Sequence, residues 1–126
     1  MLIAEDHPEI AERLVDLLGN RFDVVGTISG GTAVVEAVLK LEPDLILLDI
    51  SLPDVNGLVL AREIKQRRPD FKIIVLTMHS DPGLAAAAFE RGASGYVLKD
   101  AIGQELLTAV DTVLKGGTYL ARALSG

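Results

Sequence analysis

Leu45-Ile46-Leu47-Leu48-Asp49 is the stretch that decides the fold. Four large aliphatic residues in a row leave no polar face, which is the pattern of a parallel strand covered by helices on both sides. A strand is therefore expected over Asp44–Asp49. Outward from it, further strands are expected at Leu2–Ala4, Asp23–Ile28, Lys72–Leu76 and Gly95–Leu98. Segments of helical period separate them. The first spans Pro8–Leu18 and lines Ile10, Leu14, Leu17 and Leu18 along one face. The second spans Thr32–Leu41, with Val34, Val38 and Leu41 inward and Pro43 as its stop. A third follows the turn-rich Ser51–Gly57 loop and runs to Arg68, just before Pro69. The fourth, Pro82–Arg91, is dominated by alanine. The fifth, Gly103–Lys115, carries Leu106, Val110, Val113 and Leu114 in register.

Five alternating strand–helix units predict a doubly wound α/β domain. Right-handed crossovers put helices on both faces of its sheet. The expected architecture is a flavodoxin-like (βα)5 sandwich, with a five-stranded parallel sheet in the order 2-1-3-4-5. The domain is expected over residues 1–117. Residues 118–126 are expected to be a tail or linker without a partner inside the fold.

The polar residues that end these strands carry the chemistry. Glu5 and Asp6 follow the first run, Asp49 ends the third, Thr77 follows the fourth and Lys99 the fifth. In an open parallel sheet all these ends lie together, and ligands bind there. Three carboxylates, a hydroxyl and an ammonium in one pocket suggest a divalent cation and a phosphoryl group, with an aspartate as acceptor.

Bulk properties agree. The chain has 126 residues, 49% apolar and 24% charged, enough for one domain with a real core. A net charge of −6 argues against gripping nucleic acid or an anionic membrane by its own field. There is no cysteine, hence no disulfide framework. Glu5 and Asp6 interrupt the N-terminal apolar run, so no signal peptide is expected. No apolar stretch approaches the roughly 20 residues of a membrane span. The expected location is the cytoplasm.

Five motifs in order resemble the receiver domain of a bacterial two-component response regulator: Glu5-Asp6, the Leu-Leu-Asp-Ile around Asp49, Leu-Pro-Asp-Val-Asn-Gly at 52–57, Leu-Thr at 76–77, and Gly-Tyr-Val-Leu-Lys at 95–99. The local wording also resembles regulators with a helix-turn-helix DNA-binding output domain. The resemblance implies that Asp49 is the phosphoacceptor, served by a sensor histidine kinase. It implies Mg²⁺ (or Mn²⁺) held by Asp6, Asp49 and the Ser51 backbone carbonyl, with Glu5 acting through a water. Thr77 and Lys99 would contact the phosphoryl oxygens. Tyr96 would be the switch aromatic, swinging inward as Thr77 moves and changing the face formed by the fourth helix, fifth strand and fifth helix. A homodimer on phosphorylation is a further implication, as is DNA contact only through an output domain absent from this chain.

Three other readings fit the sequence less well. A flavin binder needs a Gly/Ser/Thr-rich phosphate loop after the first strand, whereas Glu-Asp-His-Pro-Glu would repel phosphate. An aspartate-nucleophile phosphohydrolase carries its nucleophile after the first strand and a cap, for which no insertion is long enough. A phosphorylation-independent interaction module would not need the full pocket. His7 and His79 border the pocket and are not expected to ligate the cation, since Mg²⁺ prefers oxygen; the resemblance implies that His79 and Ser51 stand at positions that tune the attack of water on the phosphoaspartate. Met78 is bulky where many receivers have a small residue, and Asp100 stands where many have proline.

Overall fold

The computed structural model describes residues 1–125. Its strands are β1 (Leu2–Ala4), β2 (Gly26–Ile28), β3 (Leu45–Asp49), β4 (Lys72–Thr77), β5 (Gly95–Leu98) and β6 (Tyr119–Leu120). Its helices are α1 (Pro8–Leu18), α2 (Val34–Leu41), α3 (Gly57–Arg67), α4 (Pro82–Glu90), α5 (Ile102–Leu114) and α6 (Arg122–Ser125). All neighbouring strands run parallel in the order β2-β1-β3-β4-β5-β6.

Side-chain alternation divides the buried strand residues between two cores. Leu2, Ala4, Ile46, Leu48, Ile73, Val75, Tyr96 and Leu98 pack on the side of α2, α3 and α4. Ile3, Leu45, Leu47, Ile74, Leu76 and Val97 pack on the side of α1 and α5. That two-sided burial is why β3 and β4 read as unbroken aliphatic runs. Pro8 starts α1, Asn56 caps α3 by accepting the Leu58 N–H at 2.8 Å, and Asp81 caps α4 by accepting the Gly83 N–H at 2.8 Å.

The parallel sheet and its 2-1-3-4-5 order are as expected, but five strands is one too few. Tyr119–Leu120 lies beside β5 as a sixth. The tail expected to lack a partner is therefore packed. Ala121 is fully buried, and the Tyr119 and Ala121 amides donate to the Ser94 and Tyr96 carbonyls, each at 2.9 Å. Gly126 lies outside the described residues. The second strand starts at Gly26, not Asp23. Ahead of it the chain is held by the N-terminus: the Met1 amine donates to the Asp23 carbonyl, and the Val25 N–H to the Met1 carbonyl. Helix α2 begins after a 3₁₀ turn at Gly31–Ala33.

Candidate functional site

Four strand ends build the pocket. Glu5 and Asp6 follow β1, Asp49 closes β3, Thr77 closes β4, and Lys99 opens a 3₁₀ turn (Lys99–Ala101) just past β5. Register places them together. Ala4 lies opposite Leu48, Asp49 opposite Leu76, and Thr77 opposite Leu98.

Lys99 links the acids. Its Nζ lies 2.9 Å from Asp49 Oδ2 and 2.8 Å from Glu5 Oε1. The Glu5 and Asp49 side chains are fully buried and that of Lys99 is 3% exposed. Burial acts to strip the proton from such an amine. Hydrogen bonds and charge from Glu5 and Asp49 outweigh it, so the ammonium is held above the ordinary lysine value of 10.5.

Both Asp49 oxygens are thus held. Lys99 takes Oδ2, and the Ser51 N–H donates to Oδ1 at 2.8 Å. Ser51 itself is exposed in the turn after β3. Glu5 Oε2 accepts the His7 N–H at 3.1 Å and faces His7 Nδ1 at 3.2 Å. The His7 ring is 63% exposed.

Asp6 is different. Its Oδ1 is buried without a hydrogen-bond partner among the described residues, 3.4 Å from His7 Nδ1. One ligand atom from each of Glu5, Asp6, His7 and Asp49 lies within 4.8 Å of the others. An oxygen-rich set with a free buried acceptor suits a hard divalent cation. So does the charge balance, since three carboxylates face one ammonium.

Thr77 and Tyr96 meet at the backbone of His79. The His79 N–H donates to Thr77 Oγ1 at 3.0 Å, and Tyr96 Oη donates to the His79 carbonyl at 2.8 Å. The Tyr96 ring is fully buried, so it is already inside. Burial pushes its hydroxyl above the ordinary value of 10.0; the Thr77 hydroxyl opposes this and the Asp81 charge adds to it. The His79 side chain is exposed, and it is the residue's peptide groups that enter the network. Met78 is 66% exposed.

The sequence did not single out Asp54. Its carboxylate accepts the Gly31 N–H at 2.7 Å and the Thr32 N–H at 3.1 Å, tying the loop after β3 to the turn before α2. Those two amides hold its carboxyl below the ordinary aspartate value, against a small opposing effect of burial. A Cβ on Gly31 would lie 2.9 Å from Val55 Cβ, so the loop seats directly on that glycine. Gly30-Gly31 in the sequence was the available signal, but it does not say what approaches.

The family model described as the response regulator receiver domain matches residues 1–111. The chain is 38% identical over 122 residues to the transcriptional regulatory protein DegU of Brevibacillus brevis, covering 95% of this chain and 52% of that protein. It is equally identical over 122 residues to the DNA-binding transcriptional activator DevR/DosR of Mycobacterium tuberculosis, covering 95% of this chain and 56% of that protein. The chain thus spans about half the length of these curated relatives. A crystal structure of a LuxR-family two-component response regulator from Aurantimonas sp. SI85-9A1 superposes with a TM-score of 0.92 at 28% identity, covering 98% of this chain and 90% of that one.

Proposed function

Because this chain belongs to the response regulator receiver domain family, we propose that it is a phosphorylation-activated switch whose acceptor is Asp49. The supporting observation is the way that carboxylate is held. It is fully buried, with Lys99 on one oxygen and the Ser51 amide on the other, beside two further acids. Asp6, Asp49 and the Ser51 carbonyl would hold Mg²⁺ or Mn²⁺, with Glu5 acting through a water. The cation offsets the crowded carboxylates and the incoming phosphoryl charge.

The donor is a phosphohistidine on a sensor kinase. An Asp49 oxygen attacks phosphorus, the P–N bond breaks, and the imidazole keeps the electron pair. The Lys99 ammonium then pairs with phosphoryl oxygens. Water later attacks phosphorus, releasing inorganic phosphate and restoring the carboxylate. The chain acts only on its own modification and turns over no external substrate.

Thr77 supplies the link to conformation. The Thr77 hydroxyl accepts the His79 N–H and keeps its own proton to donate to a phosphoryl oxygen, so a shift of Thr77 toward that oxygen pulls on His79. The same residue's carbonyl anchors Tyr96. The segment between β4 and α4 is thus the bistable element, and its readout is the face of α4, β5 and α5. The output is control of a DNA-binding region, as the names of the relatives suggest, with homodimerisation on phosphorylation and action in the cytoplasm.

Incubation with Mg²⁺ and a small acyl phosphate, followed by mass spectrometry, tests the reading. Phosphate is expected on Asp49 and nowhere else. Labelling of Asp49→Ala, or labelling insensitive to chelator, would overturn it.

A further inference from the structure

Among the described residues five polar or charged side chains are buried: Glu5, Asp49, Thr77, Lys99 and Glu105. Four of them form the pocket. Glu105 does not, because it lies on α5 and points at the C-terminal segment. Its Oε1 accepts the Tyr119 hydroxyl at 2.7 Å and the Arg122 backbone N–H at 2.9 Å. Both donors belong to residues beyond α5, where the sequence alone predicts only a tail.

The segment is bound on its other side to β5. Tyr119 pairs with Gly95 and Leu120 with Tyr96. The Ala121 N–H donates to the carbonyl of Tyr96 at 2.9 Å. Tyr96 is therefore shared: its hydroxyl reaches the loop beside Thr77, and its backbone carries the C-terminal segment. The chain reaches this position through Gly116, whose φ of +93° suits a glycine turn.

Packing alone does not call for a carboxylate here. A buried acid is costly to desolvate, and an aliphatic residue would fill the same place on α5. What the acid adds is direction, since an acceptor with two donors fixes one placement of the segment. We propose that Glu105 is a positioning residue that latches residues 118–125 onto β5, so that the segment follows Tyr96 and carries the state of the pocket to the C-terminal end of the domain. This rests on the switch reading above.

The test compares backbone NMR and amide exchange of the wild type, Tyr119→Phe, Glu105→Ala and Glu105→Gln, each with and without Mg²⁺ and beryllium fluoride as the phosphoryl mimic. In the wild type, the mimic should shift His79, Tyr96 and residues 119–124 together. In Tyr119→Phe, exchange of the 119–124 amides should quicken about tenfold, as for one lost charge-assisted hydrogen bond. Their response to the mimic should vanish while His79 and Tyr96 still respond. Glu105→Ala should do the same more strongly, and Glu105→Gln, which keeps an acceptor oxygen, should retain part of the coupling. Tyr119→Phe keeps the ring and decides the matter if Glu105→Ala does not fold. Wild-type-sized shifts in 119–124 in both Tyr119→Phe and Glu105→Ala would overturn the latch. So would a wild-type segment that stays still while His79 and Tyr96 respond, leaving the switch reading intact. A wild type in which none of these residues responds would overturn the switch reading, and the latch with it.

Discussion

Replacing Lys99 by methionine should destabilise the cation-free protein by about 3 kcal/mol and make its stability strongly dependent on Mg²⁺. Methionine keeps most of the length and removes the charge. At an effective dielectric constant of about 20, the contacts at 2.8 and 2.9 Å are each worth about 6 kcal/mol of attraction. The Glu5 and Asp49 ligand atoms lie within 4.8 Å and repel by at least about 3 kcal/mol on the same scale. Most of the attraction is offset by the cost of drying the ammonium, so breaking a buried pair costs about 3–5 kcal/mol net. The lower end applies, because Asp49 keeps the Ser51 amide and Glu5 keeps the His7 amide. Urea unfolding followed by far-UV circular dichroism, in chelator and in millimolar Mg²⁺, measures this. The variant pocket is more negative, so Mg²⁺ should restore more stability to it than to the wild type. The alkaline limb gives a second reading. The folded-state value of Lys99 is raised, so its contribution is complete below 10.5 and is lost as pH climbs through the higher folded value. Above pH 10.5 the wild type should therefore lose stability more steeply than the variant. Tyr96 and Tyr119 titrate in both proteins and cancel from the comparison. A variant as stable as the wild type in chelator, or one indifferent to Mg²⁺, would refute the reasoning.

Four further outcomes are expected. Thr77→Ala should cost only about 1 kcal/mol, the worth of one hydrogen bond, yet abolish the response of the His79 amide to beryllium fluoride, as read by NMR. Gly31→Ala should cost about 1–3 kcal/mol in thermal or urea unfolding, because its methyl would press on Val55 and Leu60; across the same contact, Asp54→Asn should flatten the loss of stability below pH 3.8, since the lowered folded-state carboxyl contributes above that value and loses its effect as pH falls through its own. Sedimentation velocity should show self-association promoted by Mg²⁺ and beryllium fluoride, and distributions that stay identical at high protein concentration would exclude it.

The pocket was legible because its grammar is local. Each of its residues ends or follows an apolar run, and a parallel sheet gathers those ends without further information. β3 and β4 were plain for the same reason, each carrying five consecutive buried residues, 45–49 and 73–77. What escaped depends on distant partners. β6 is two residues long, too short for any period, and is held by β5. Glu105 reads as an ordinary polar position on α5 until Tyr119 and Arg122 cover it. Asp54 reads as turn chemistry, whereas its partners lie 22 and 23 residues earlier. The second strand begins at Gly26 and not at Asp23 because Asp23 and Val25 bond Met1, ahead of the first residue of β1.

The pocket's charges also enter the chain at different times, with a consequence for folding. β1 lies inside the sheet between β2 and β3, so the domain cannot grow from a hairpin; each pairing waits for a crossover to close. Joining β1 to β3 brings Glu5 and Asp6 against Asp49, while the lysine that balances them lies 50 residues beyond Asp49. A half-built sheet therefore carries an acid cluster at the junction it must close. The arrangement that suits phosphoryl chemistry is a local conflict on the way to the native state. A divalent cation held by those acids would ease that conflict before Lys99 arrives, which would make it an aid to folding as well as to phosphoryl chemistry.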